Sequence, residues 1–157
     1  MSNESALETA NALLAPFAQG TARPDPLRLD AMLAVDQLLP AVRALMDNKW
    51  GYLVAISGVD LGLATGQLEV LYHFGGADNG ITTSLRVRIP RDNASVPSVC
   101  GLVPSASLYE RELSEMLGIT VVDTPNPTHL FLPDGWPDGL YPLRKDAAVP
   151  VATTLNS

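Results

Sequence analysis

Apolar positions change their period several times along the chain, and each change marks a predicted element. Leu7, Ala10, Leu14 and Phe17 recur at helical spacing and predict an amphipathic helix over Ser5–Ala18, with Pro16 and Gly20 as stop signals. The stretch Arg23–Pro26 reads as a linker. From Leu27 the period drops to two. Leu27, Leu29, Ala31, Leu33 and Val35 alternate with Arg28, Asp30, Met32 and Ala34, which predicts a strand with one buried face. Asp36 then stands where an N-cap would accept from the free N–H groups of a helix. The stripe of that helix is Leu38, Leu39, Val42, Leu45 and Met46, and Asp47 and Asn48 end it. Pro40 is tolerated because it falls in the first turn.

Tyr52–Ile56 reads as a short central strand, and Ser57–Gly66, with its three glycines, as a loop. Two alternating runs follow, one carrying Leu68, Val70, Tyr72 and Phe74, the other Leu85, Val87 and Ile89. The turn-forming run Gly75–Gly80 between them predicts a hairpin. In its simplest register Glu69 lies opposite Arg86, an ion pair on the solvent face. Arg86 and Arg88 are thus either a solvated face or a docking stripe for an acidic partner. Ser107, followed three residues later by Glu110, has the spacing of a capping box. Leu108, Leu113, Met116 and Leu117 supply the apolar side of that helix, Gly118 its C-cap, and Ile119–Val122 a last strand. This order predicts an α+β fold: a split βαβ-like, mainly antiparallel sheet with helices on one face.

Beyond Val122 neither period continues. Five prolines fall between Pro125 and Pro142, so no regular ladder persists, yet Leu130, Phe131, Leu132, Trp136, Leu140, Tyr141 and Leu143 are large and apolar. A proline-stiffened arm with such side chains must bury them on its own sheet or on a partner protein. The expected organisation is residues 1–26 as N-terminal helix and linker, 27–122 as the α+β core domain, and 123–157 as an extended C-terminal interaction arm.

Composition narrows the function. The chain has 157 residues and a net charge of −7, which disfavours nucleic acid and direct docking on anionic lipid. No apolar run approaches the roughly 18 residues a spanning helix needs, so no direct membrane insertion is expected. Glu4 and Glu8 precede any basic residue, unlike a targeting signal, which points to a reducing cytoplasm. The lone Cys100 makes no disulfide or cluster on its own, and His73 and His129 lie too far apart to form a ligand-spaced pair. No dinucleotide, Walker, zincin or nucleophile-elbow pattern is present.

Three stretches, in order, carry a resemblance: Tyr109-Glu110-Arg111-Glu112 running on to Gly118-Ile119, then Leu132-Pro133-Asp134-Gly135-Trp136, then Tyr141-Pro142-Leu143-Arg144-Lys145-Asp146. Together with Val70–Phe74, Leu85–Pro90 and Val96–Val99, they resemble the 30-kDa subunit family of NADH:quinone oxidoreductase (complex I). Gly135, Leu117 and the pair Ser114-Glu115 depart from the usual family pattern, and the spacing from Trp136 to Pro142 is closer to the branch found in membrane-bound nickel–iron hydrogenase and formate hydrogenlyase complexes. The resemblance implies a structural subunit with no catalytic, cofactor-binding or metal residues of its own. It implies as partners a large catalytic subunit, bearing a quinone site or a nickel–iron centre, and a small iron–sulfur subunit. The implied location is peripheral, on the cytoplasmic side of the membrane. The motif residues Tyr109, Glu110, Arg111, Glu112, Gly118, Pro133, Asp134, Trp136, Pro142, Leu143, Arg144, Lys145 and Asp146 are the candidate interface set.

Two other readings compete. A small enzyme would use Glu110, Glu112 or Cys100, but Glu110 and Glu112 project to different sides of a helix, about 100° per residue. A peptide-binding adaptor would use an exposed sheet edge. Asp134–Gly139 reads as two glycine turns flanking Trp136, an interface or core anchor, and not as a calcium loop. Within the family reading, Arg111 and Glu112 are expected in charge pairs with Arg144, Lys145 or Asp146.

Overall fold

In the computed structural model, which describes residues 2–78 and 80–148, the chain forms three helices and seven strands. Helix α1 spans Asn3–Leu14, with Ser2 accepting from the Ser5 amide, and buries Leu7, Ala10 and Leu14. Strands β1 (Ala18–Asp25) and β2 (Arg28–Leu33) follow, then helix α2 (Leu38–Asp47), β3 (Gly51–Asp60), β4 (Gln67–Gly76), β5 (Thr82–Pro90), β6 (Ser95–Pro97), α3 (Ala106–Leu117) and β7 (Thr120–Val122).

The main sheet runs β1-β2-β5-β4-β3. Only β2 and β5 pair in parallel; the other neighbours are antiparallel. Leu29, Ala31 and Leu33 of β2, Leu68, Val70, Tyr72 and Phe74 of β4, and Leu85, Val87 and Ile89 of β5 share one face. They meet all three helices there in one continuous core. Each of the Leu, Val, Ile and Phe side chains among them, fully buried, contributes roughly 1.5–3 kcal/mol. The expected α+β class, with helices on one side of a mainly antiparallel sheet, is what the chain forms.

Several details differ. The Arg23–Pro26 linker belongs largely to β1, an edge strand whose residues are nearly all exposed and whose pairing is carried by the backbone. Asp36 caps nothing: it lies exposed in a short 3-10 turn, Val35–Gln37, and Gln37 precedes α2 with no side-chain cap bond. Pro40 does sit in the first turn of α2. β3 is a ten-residue edge strand, not a short central one. It absorbs Gly58 because a Cβ there would meet Leu117 and Leu113 of α3 at 2.2 and 2.7 Å. The hairpin register places Glu69 opposite Arg88 and Leu71 opposite Arg86. Asn79 of the turn run, and residues 149–157 of the expected arm, lie outside the described residues. β7 pairs in parallel with β6 in a separate two-stranded sheet instead of joining the main one.

Candidate protein-interaction site

Helix α3 is the scaffold for the motif residues, and its 3.6-residue period sorts them by side. Leu113 and Leu117 point into the core against β3, and the Tyr109 hydroxyl donates to the Val54 carbonyl at 2.8 Å. Glu110, only 1% exposed, also points inward. The expected capping box does not form. α3 begins after Ser105 with no side-chain cap, and the Glu110 carboxylate instead accepts from the Val99 amide at 2.7 Å, the Ser98 hydroxyl at 2.8 Å and the Cys100 thiol at 3.1 Å. A tertiary set of donors outcompetes the local one because a buried carboxylate needs most of its lone pairs filled. Burial pushes the Cys100 thiol above its ordinary range, and the neighbouring Glu110 adds to this against the Ser98 hydrogen bond. Such a thiol is a weak nucleophile.

Arg111 and Glu115 lie four residues apart on the other side of α3, facing the C-terminal segment. Glu115 is 5% exposed and accepts three backbone N–H bonds, from Leu130 at 3.0 Å, Phe131 at 2.8 Å and Leu132 at 3.3 Å. Arg111 donates to the carbonyls of Thr128 at 2.9 Å and His129 at 2.7 Å. The charge pairs expected of Arg111 and Glu112 with Arg144, Lys145 or Asp146 are absent among the described residues. Main-chain groups take Arg111, because the Thr128 and His129 carbonyls face it and residues 128–132 carry no acidic side chain. Glu115, outside the candidate set, is the residue sequence reasoning missed; its partners lie 15–17 positions away and leave no local signal.

Further along, Trp136 is half-buried and its indole N–H donates to the Leu140 carbonyl at 2.8 Å. It sits between the two expected turns, closed by Trp136 N–H to Pro133 and Leu140 N–H to Pro137, with Gly135 and Gly139 at φ +83° and +76°. Pro133 and Asp134 are exposed, and Pro142 is half-buried. Leu143 donates its amide to the Met116 carbonyl at 3.0 Å, and Arg144 donates to the Leu117 carbonyl at 2.7 Å while its guanidinium lies 5.3 Å from the Tyr141 ring centre. At the end of the segment, Lys145 donates its amide to Asp60, and Asp146 and Asp60 both pair with the Arg91 guanidinium. The described part of the arm therefore folds back on its own α3. A cavity of about 390 Å³ remains between them, lined by Arg111, Ser114, Gly118, Trp136 and Tyr141 among others.

That return leaves the apolar residues unequal. Leu130, Leu132, Trp136, Leu140 and Tyr141 are half-buried, whereas Phe131 is 64% and Leu143 58% exposed. Residues 128–132 thus form a hook, anchored by five hydrogen bonds, that displays Phe131 to solvent. Glu115→Gln is expected to release the hook, since an amide replaces one acceptor oxygen with a donor aimed at the same N–H groups. The cost is about 1–3 kcal/mol. Hydrogen exchange should show faster exchange at Leu130–Leu132 with the core strands unchanged; equal protection at those three amides in variant and wild type contradicts the anchoring role.

Among the described residues no group of three or more His, Cys, Asp or Glu could hold a metal ion, and no helix is long and apolar enough to cross a membrane. Comparison with known proteins gives a consistent picture. The family described as "Respiratory-chain NADH dehydrogenase, 30 Kd subunit" matches residues 31–152. A subunit of the NADH-quinone oxidoreductase of a Roseiflexus species is 32% identical over 99% of this chain and 91% of its own length. Formate hydrogenlyase subunit 5 of Escherichia coli is 36% identical over 76% of this chain, but the match spans only 21% of that larger protein. Among solved structures, a chain of the membrane-bound sulfane sulfur reductase, an archaeal respiratory membrane complex, superposes with a TM-score of 0.78 at 28% identity. That match covers 89% of this chain and 84% of that one.

Proposed function

Because the chain belongs to the family of the respiratory-chain NADH dehydrogenase 30-kDa subunit, we propose that it acts as a cofactor-free structural subunit in the peripheral part of a membrane-bound oxidoreductase complex. It packs against the large catalytic subunit of that complex and touches the small iron–sulfur subunit, on the cytoplasmic side. Its contribution is to position and rigidify the catalytic subunit; the redox centres, with quinone or a nickel–iron site, belong to its neighbours.

One observation carries this reading: an anchored segment that holds Phe131 in water. A phenylalanine fixed beforehand on an anchored segment offers a partner apolar area at a reduced ordering cost of binding. Aromatic residues on such a pre-ordered element act as interface anchors. A parent of the NADH:quinone oxidoreductase type is favoured by the match to the Roseiflexus protein over nearly the whole of both chains. A formate hydrogenlyase or hydrogenase parent is supported by the higher identity to the Escherichia coli protein, over a smaller share.

The test is purification of the intact complex from cells carrying a tagged copy of the chain. The wild type is expected to bring down a large catalytic and an iron–sulfur subunit. Phe131→Ala should lower their recovery by roughly 10-fold or more, as the loss of about 1.5–3 kcal/mol of aromatic burial predicts, with no change in melting temperature. A wild-type chain that purifies alone, from membranes that contain such a complex, overturns the reading.

A further inference from the structure

We propose that the helix-free face of the main sheet is a second docking surface, one that receives an acidic surface of a partner polypeptide on Arg28, Arg86 and Arg88. The inference rests on the subunit reading above.

All three helices pack on one side of the sheet, and alternation sends Arg28 and Asp30 of β2, Ser84, Arg86 and Arg88 of β5, and Glu69, Leu71 and His73 of β4 to the other. On that open side the charges form a ladder across three strands. Asp30 takes Arg28 at 2.7 Å and Arg86 at 3.0 Å; Glu69 takes Arg86 at 2.7 Å and Arg88 at 3.3 Å. Both carboxylates are at most 3% exposed, screened from water by the arginines above them. The expected ion pair on this face is therefore part of a network whose acids are buried and whose arginines stay partly exposed, and the acids hold three guanidinium groups in place.

Held this way, the guanidinium groups keep unused capacity. Each has five N–H donors, and the five hydrogen bonds to Asp30 and Glu69 occupy only a minority of them. The Arg86 Nε–H is buried with no acceptor, and Arg88 remains 52% exposed on a single 3.3 Å bond. Three cations over two anions leave the strip positive on a chain whose net charge is −7. That sign selects the occupant: a protein surface that offers carboxylates, for which the planar fork is suited. Along β3 the same face is bordered by Tyr52 and Val59, 60% and 42% exposed. Fixed arginines beside an exposed tyrosine have the composition of an interface centre. An anionic membrane is the weaker match, because the rest of the chain would be repelled by it.

The experiment compares Arg88→Glu and Arg88→Gln with Arg43→Glu, a charge reversal at an exposed position on α2, in the tagged complex. Arg88→Glu is expected to reduce recovery of at least one partner subunit by 10-fold or more, since like charges at a docked surface are strongly unfavourable. Arg88→Gln removes the charge while leaving Arg86 on Glu69, so it guards against simple misfolding; it should cause a smaller loss at an unchanged melting temperature. Arg43→Glu should recover partners as the wild type does. Equal recovery in Arg88→Glu and Arg43→Glu overturns this inference and leaves the subunit reading standing. Failure of the wild type to bring down any partner overturns both. Arg88-dependent sedimentation of the wild type with phosphatidylserine vesicles, with subunit recovery unaffected, shows that the occupant is lipid and likewise overturns the proposal.

Discussion

Arg91→Ala is expected to destabilise the chain by about 3 kcal/mol, the low end of what breaking a buried ion pair costs. Arg91 is 5% exposed and Asp60 4%, and they are paired directly. Removing the guanidinium leaves a carboxylate in the protein interior with only the backbone amides of Gly62 and Lys145 to stabilise it. The low end applies because the other partner, Asp146, is about half exposed and loses little. Asp146→Asn should therefore cost below about 1 kcal/mol. Urea unfolding at neutral pH separates the two variants, and equal effects would show that Asp60 does not depend on Arg91.

The same cluster sets an acid limit. Burial pushes the Asp60 carboxyl up, but hydrogen bonds from the Lys145 amide, Arg91 and the Gly62 amide, with the charge of Arg91, outweigh it and hold the carboxyl down to about 2 from an ordinary 3.8. A depressed carboxyl binds fewer protons in the folded chain than in the unfolded one. Its stabilisation is thus complete above roughly pH 4 and is lost as pH falls through about 2. In Arg91→Ala the burial contribution is left with weaker opposition, so the folded-state carboxyl moves up toward its unfolded value. This group then has less stability to lose in acid, and the gap between variant and wild type should narrow as pH falls from about 4 to about 2. Unfolding midpoints measured from pH 6 down to pH 2 check the sign. A variant whose stability falls in parallel with the wild type across that range would contradict the assignment.

Where local pattern and tertiary demand agree, the sequence is readable. The β4–β5 hairpin follows from two alternating runs and a glycine-rich turn, and α2 and α3 follow from apolar stripes with Gly118 as a left-handed cap. β1 has no such pattern, since an exposed edge strand needs only backbone partners. Gly58 looks like loop chemistry but is there because α3 packs too closely for a side chain. The Ser107–Glu110 spacing satisfied a local rule, and the unfilled Val99 amide claimed the carboxylate instead. The candidate interface set was visible only as a resemblance, and the geometry divides it. Tyr109 and Glu110 hold α3 to the body, Arg111 holds the hook, and Tyr141, Arg144 and Asp146 seat the returning segment. Glu115, with partners far along the chain, carried no signal that periodicity or spacing could reveal.

Gly118→Ala is expected to cost about 2–4 kcal/mol, a size reserved for substitutions with a named structural cause. Two causes act at this position. Gly118 ends α3 at φ +67° and ψ 34°, and a residue with a Cβ pays roughly 1–2 kcal/mol to stay there. The added Cβ would also stand 2.3 Å from the Tyr141 ring, far inside contact distance. The ring cannot yield freely, because Arg144 stacks near it and is itself bonded to the Leu117 carbonyl beside the glycine. Displacing Tyr141 should therefore loosen Arg144 and the segment behind it, as well as strain the helix end. A double-mutant cycle separates the two costs. Tyr141→Ala alone should lose packing, yet in the Gly118→Ala background it should cost much less, because it also removes the clash. What remains is the backbone strain. Additive effects would mean the ring and the added methyl never meet, and a Gly118→Ala chain within about 1 kcal/mol of wild type would remove both causes together.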